Sequence, residues 1–226
     1  ELVTNEPVTV VLSTGGFVRA AKGHDIDPRS LAYKTGDAFQ AAARGRSTQL
    51  AVFLDSSGRS YSLLAHTLPS ARGQGEPLSG RLDPPDGARF AGVLIGDPED
   101  LWLLATDFGY GFTVRLKELH TRNRAGKAVL KVDEAARVLP AVPVPADDAL
   151  LACVNSDGRL LVFAAADVPE LPRGKGNKIF GISTRKSLIE PETLLAIAAV
   201  APGQTLKVLC GDRTMGLSYR DLAEYR

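Results

Sequence analysis

The 226 residues are 44% hydrophobic and 23% charged, the balance of a globular fold able to bury a core, and the length suits one large domain or two small ones. A net charge of +1 argues for no particular partner. The longest apolar run, residues 194–201, is too short to span a bilayer, and Glu1-Leu2-Val3 lacks the charged and apolar regions of a signal peptide; a chain opening without Met is expected to be an excised piece.

In chain order, apolar runs at 8–12 and 17–20 flank Ser13-Thr14-Gly15-Gly16, which reads as a β-hairpin, and the loop Lys22-Gly23-His24 follows. Residues 28–34 form a connector with one helical turn at most. Residues 36–44 read as an outgoing strand anchored by Phe39, and Arg44-Gly45-Arg46 exposes two cations. The pattern returns at 50–64 around Asp55-Ser56-Ser57-Gly58 and leads to Ala71-Arg72-Gly73-Gln74-Gly75. Within residues 80–94, Pro84-Pro85-Asp86-Gly87 marks a turn between two strands.

A third copy spans 101–116 around Thr106-Asp107-Phe108-Gly109 and leads to Arg122-Asn123-Arg124-Ala125-Gly126-Lys127. Pro140, Pro143 and Pro145 confine residues 138–145 to a sheet edge or an extended link. The fourth copy, 150–163 around Asn155-Ser156-Asp157-Gly158, leads to Arg173-Gly174-Lys175-Gly176-Asn177-Lys178, with residues 178–182 as its exit strand. Residues 191–200 are Ala-rich, which favours helix, but the repeat register makes them a strand. A last copy, 206–219 around Gly211-Asp212-Arg213, precedes a short helical end at 219–226.

The spacing is regular. From turn glycine to loop glycine the count is 15, 17 and 16 residues, and successive turn glycines (Gly58, Gly109, Gly158) lie 51 and 49 apart. Five units of roughly 45 residues predict an all-β, radial or stacked array whose sheets leave only short edges. Phe53, Tyr61, Trp102 and Phe163 fall in strands and read as core; Cys153 and Cys210 read as reduced strand residues.

Cations cluster in the loops after the hairpins. Acids (Asp97, Glu99, Asp100, Asp147, Asp148) precede the third and fourth hairpins. Equivalent positions in repeats share a surface, so a near-neutral total can hold a basic rim and an acidic rim, and the basic one would steer a polyanion. The candidate phosphate contacts are Arg19, Lys22, His24, Arg44, Arg46, Arg72, Arg122, Arg124, Lys127, Arg173, Lys175 and Lys178. Arg and Lys neutralise phosphates and release counterions, while interspersed Gly lets backbone approach phosphate oxygens. A bent duplex on such a surface would be read by shape rather than by base. The competing reading of the same residues is solvated turns, or a propeller that docks a protein partner.

No catalytic constellation is present. Ser13, Ser56 and Ser156 lack a nucleophile elbow. His24, His66 and His120 have no partners at metal-ligand spacing. Gly73-Gln74-Gly75 and Gly174-Lys175-Gly176 are too short for a nucleotide-phosphate loop.

Residues 18–27, 70–78, 109–112, 122–127 and 173–178 together resemble the C-terminal domains of bacterial topoisomerase IV A subunits, across essentially the whole chain, and are similar to the gyrase counterparts. The resemblance implies a five-bladed β-pinwheel, a disc of strand-exchanging blades that can stay open between first and last. It implies one DNA-binding domain over 1–226, the C-terminal part of a larger subunit. It implies non-sequence-specific binding and bending of duplex DNA, directing the choice of crossings for decatenation and supercoil relaxation in chromosome segregation. The fragment itself would be monomeric, non-catalytic and free of cofactors and metals. The parent would be an ATP-dependent type II topoisomerase, a heterotetramer in which two A subunits join two ATPase B subunits. The alternative function is docking of a condensin-type partner. The expected location is the bacterial cytoplasm at the nucleoid, with peripheral membrane association of the holoenzyme. The gyrase box Gln-Arg-Arg-Gly-Gly-Lys-Gly has no intact copy; residues 72–75 and 173–176 are the nearest pieces, which weakens full DNA wrapping and favours the topoisomerase IV branch over gyrase.

Overall fold

The computed structural model describes residues 4–182 and 191–226. Strands β1 (Pro7–Ser13) and β2 (Phe17–Lys22) form the first hairpin, and β3 (Phe39–Arg46) pairs with β1 on its other side. β4 (Leu50–Asp55) and β5 (Arg59–Leu64) form the second hairpin. The chain then turns back: β6 (Glu76–Pro77) pairs with β2 as the fourth strand of the first sheet. β7 (Phe90–Leu94) pairs with β4 on the side away from β5.

The same route repeats. β8 (Leu101–Ala105) and β9 (Tyr110–Arg115) form the third hairpin, after which β10 (Lys127–Ala128) pairs with β5. β11 (Val142–Pro143) pairs with β8. β12 (Leu150–Asn155) and β13 (Leu160–Ala164) form the fourth hairpin, and β14 (Asn177–Lys178) pairs with β9. β15 (Leu194–Val200) lies against β12. Among the described residues β16 (Thr205–Cys210) and β17 (Arg213–Ser218) pair only with each other, and α1 (Tyr219–Glu224) follows, opened by a capping box between Ser218 and Asp221.

The sheet orders are therefore β3-β1-β2-β6, β10-β5-β4-β7, β11-β8-β9-β14, β13-β12-β15 and β16-β17. Each of the first three sheets receives its outermost strand from the segment after the next hairpin. This all-β exchange is the expected pinwheel route. The count differs from the expectation of five blades: four sheets have three or four strands, and the fifth repeat is a two-stranded hairpin. A second correction concerns residues 178–182. They do not form the exit strand of the fourth unit; Asn177 and Lys178 pair with Gly111 and Tyr110 of the third sheet, and the fourth sheet's outer strand is β15. Strand at 191–200, the single 3-10 turn at Pro28–Ser30 and the helical end agree with the sequence reading.

The turns explain the hairpins. The side chains of Ser13, Asp55 and Asn155 accept the backbone N–H four residues on, from Phe17 at 3.0 Å, Arg59 at 3.0 Å and Arg159 at 2.7 Å. A short polar side chain thereby supplies the turn's acceptor. At each of these residues the pairing with β3, β7 or β15 shifts register, and the bulge goes with a buried side chain.

The chain divides into two compact units. The first comprises residues 1–100, 115–133 and 172–174, and the second 101–114, 134–171 and 175–226. In the first, Phe53 and Tyr61 are fully buried and meet Phe90 edge-on at 6.4 and 5.5 Å. The Tyr61 hydroxyl donates to buried Asp55 at 2.6 Å. In the second, Leu103, Ala149, Leu151, Ala165 and Val168 form one cluster. Leu222 of α1 closes another with Leu150, Ala152, Val162 and Val200. Phe163 packs at the edge of the first cluster and Trp102 is buried, as the sequence suggested. Cys153 is buried and Cys210 exposed, both as free thiols.

Candidate nucleic-acid interface

The basic loops are the linkers between a hairpin and the strand it donates. Each is nailed to the sheet that receives that strand. Gly75 has φ +84°, and a Cβ there would sit 2.5 Å from the Val18 carbonyl oxygen; Gly176 has φ +76°, and a Cβ would sit 2.0 Å from the Gly111 oxygen. The close approach that these glycines allow is therefore to the protein's own backbone, not to a phosphate. Basic side chains from the receiving sheet add to the grip in the first unit. Arg19 Nη1 donates to the Gly73 carbonyl at 2.7 Å, and Arg59 donates to the carbonyls of Ala125 and Gly126 at 2.9 and 3.1 Å.

Each of the second and third basic loops, or the residues beside it, also meets the chain that follows the preceding donated strand. Asp83 N–H donates to the Arg124 carbonyl, Lys131 N–H to the Gly174 carbonyl, and Gly174 N–H to the Val129 carbonyl, each at 2.8 Å. All of these residues lie in the first unit. The segments after the second, third and fourth hairpins thus form one contiguous backbone strip there.

The twelve candidate cations divide sharply. Arg19 is only 3% exposed and stacks 4.7 Å from the Tyr33 ring centroid, so its expected place on the surface is corrected: it is an internal clamp. The half-buried Lys127 donates to the Glu118 carbonyl at 2.6 Å, and Lys175 Nζ lies 3.9 Å over the Tyr110 ring. His24 shares a hydrogen bond with the Gly45 carbonyl at 2.9 Å, and Lys178 donates to the Ile182 carbonyl at 3.3 Å. Arg124 faces Asp83 at 3.4 Å, Lys22 faces Glu6 at 3.4 Å, and Arg46 donates to the Asn5 carbonyl at 3.2 Å. The two exposed ion pairs are weak enough for a phosphate to replace them.

Arg44, Arg72, Arg122 and Arg173 are exposed, and none of their guanidinium groups has a partner among the described residues. Three of the four occupy matching places: Arg72, Arg122 and Arg173 stand three or four residues before Gly75, Gly126 and Gly176, each at positive φ and each with a Cβ position within 3 Å of the receiving sheet. Each of these three arginines is carried on a loop whose backbone is already fixed, so little order is lost when it meets an anion. Among the acids, Glu99 pairs with Lys117 at 2.6 Å, while Asp147 and Asp148 are exposed in the second unit.

Arg59 and Arg81 escaped the sequence reading. Arg59 carried a weak signal, an arginine at the start of an apolar strand. Arg81 carried none. No group of three or more His, Cys, Asp or Glu among the described residues could hold a metal, and no helix there is long and apolar enough to cross a membrane.

Comparison with known proteins places this arrangement. A family model described as DNA gyrase C-terminal domain, beta-propeller, matches residues 100–145 and 149–197. The A subunit of DNA topoisomerase 4 from Pseudomonas aeruginosa is 52% identical over 227 residues, covering all of this chain and 30% of the relative; that of Escherichia coli K12 is 44% identical over 222 residues, covering 98% and 30%. The solved E. coli ParC C-terminal domain is 44% identical, with a TM-score of 0.80 over 97% of this chain and 89% of that one. The chain belongs to the C-terminal domains of topoisomerase IV A subunits. The topoisomerase IV fold is shared by a gyrase A C-terminal domain at 17% identity and a TM-score of 0.68, covering 95% of this chain and 72% of that one. As a topoisomerase IV domain, the chain spans about 30% of the length of the relatives it matches.

Proposed function

We propose that this chain binds duplex DNA without sequence specificity, with Arg72, Arg122 and Arg173 as its principal phosphate contacts. The observation that carries the reading is their placement: three exposed arginines with no partner among the described residues, at matching positions three or four residues before Gly75, Gly126 and Gly176. Phosphate contacts of this kind fix a duplex in place without reading its bases. Bending would follow if the duplex tracks successive loops, because deformation is repaid by the added contacts.

Within a topoisomerase IV holoenzyme of two A and two ATPase B subunits, such a surface would hold a DNA segment and bias which crossings are passed. It would support decatenation and relaxation in the bacterial cytoplasm. The domain works without cofactor, and strand cleavage resides elsewhere in the parent protein. Exposed arginines can be replaced with little stability cost, within about 0.5 kcal/mol. The triple variant Arg72→Ala, Arg122→Ala, Arg173→Ala is therefore expected to keep its melting temperature. It should weaken duplex binding, and its log K against log salt slope should flatten by about 3, at 0.9 per phosphate released. An unchanged affinity and slope would sink the reading.

A further inference from the structure

A groove of about 720 Å³ lies in the first unit, over the outer end of β5. Its lining includes Leu50, Leu63 and Leu64, the last 43% exposed, together with Arg81, Thr121 and Arg122. The two arginines differ in kind. Arg122 has no partner among the described residues, whereas Arg81 is held: its Nη1 donates to the Thr67 carbonyl at 3.0 Å and to Glu76 at 3.2 Å, and its Nη2 donates to the Thr67 hydroxyl at 2.7 Å. Those bonds use three of the five N–H donors of a guanidinium. Two remain, on a side chain still 29% exposed. Thr121 Oγ1 accepts from Asn123 N–H at 3.1 Å and keeps its own proton to give.

A groove lined by three leucines and two arginines suits a ligand with an apolar part and an anionic part. We propose that this groove seats one sugar–phosphate unit of duplex DNA, with the deoxyribose over Leu63 and Leu64 and the phosphate between Arg81 and Arg122. The proposal rests on the DNA-binding reading above. It extends the contact surface from the free arginines to a fixed one that no charge pattern in the sequence marks. Glu76 sets the sign of a second effect: its carboxylate shares the Arg81 guanidinium and opposes an incoming phosphate.

The test is duplex binding by the chain across a salt series. Arg81→Gln, which can still hydrogen-bond Thr67, should bind roughly three- to tenfold more weakly and lose about 1 from the salt slope. Leu64→Glu, at an exposed site, should weaken binding in the same direction and decides the matter if Arg81→Gln melts early. Glu76→Gln should tighten binding. If Arg81→Gln and Leu64→Glu bind like the parent while the Arg72, Arg122, Arg173 triple variant loses binding, the groove is not a DNA seat and the DNA reading stands. If the triple variant also binds like the parent, both fall. If Arg81→Gln leaves duplex binding intact but abolishes binding of a Glu-rich peptide, the occupant is an acidic peptide and the proposal is overturned.

Discussion

The carbonyl oxygen of Gly58 accepts the backbone N–H of Leu130 at 2.9 Å, although 72 residues separate them. The same oxygen takes the Val129 N–H at 3.0 Å. Gly58 is the tip of the second hairpin, and Leu130 follows the strand donated to that hairpin's sheet. The lock recurs where Gly16 accepts from Leu78 at 2.9 Å and where Gly109 accepts from Ile179 at 2.8 Å. The donated strands are only two residues long, so a ladder alone would hold them poorly. The turn tip supplies the missing bonds, and the basic loop before it is fixed as a consequence.

Gly58→Ala should therefore be costly. Its φ of +82° alone strains an alanine by about 1–2 kcal/mol. The new Cβ would also fall 1.9 Å from the Leu130 carbonyl oxygen, so the exchanged segment must move. Gly87 has nearly the same φ, +78°, with nothing within 4 Å of a Cβ. Urea unfolding should show a loss of at least about 3 kcal/mol for Gly58→Ala and about 1 for Gly87→Ala. Equal losses would mean that the lock contributes nothing.

Arg19→Met separates clamp from contact. The variant keeps most of the volume but leaves the Gly73 carbonyl without its 2.7 Å donor. Unfolding free energy should fall by about 1–3 kcal/mol. The salt slope of duplex binding should stay that of the parent, because the buried guanidinium releases no counterion. A flatter slope would return Arg19 to the interface.

Acid should weaken the fold in two steps. Burial, aided by the charge of Lys127, holds the His120 imidazole below its ordinary 6.5. The unfolded chain thus takes up that proton first, and stability declines as pH falls below about 6.5. Burial works against the Asp37 carboxylate, but the hydroxyls of Ser13 and Thr14 and the N–H groups of Gly15 and Ala38 outweigh it and bring the group from 3.8 to about 2. Its contribution is complete above about pH 4 and is lost as pH falls towards 2, and solvent keeps it small at so exposed a site. Melting curves from pH 2 to 8 should lose the upper step in His120→Gln and the lower one in Asp37→Asn. Retention of both steps in both variants would assign them to other groups.

Much of this was legible in the letters. Five hairpins announce themselves because each pairs two apolar runs around a polar, Gly-containing turn, and in three of them Ser13, Asp55 or Asn155 supplies the turn's acceptor; those demands are local. The repeat register placed β15 correctly against the helical leaning of its alanines. The positions of the basic loops, and hence the free Arg72, Arg122 and Arg173, follow from the same spacing. The donated strands Glu76–Pro77, Lys127–Ala128 and Asn177–Lys178 could not be read, since two residues carry no alternation and their partners lie far along the chain. Nor does an arginine in a sequence say whether its guanidinium faces water. Arg19, Arg81 and Arg122 are the same residue type; one is buried against a backbone carbonyl, one is half held and one is free, because only the folded chain decides which acceptors come within reach.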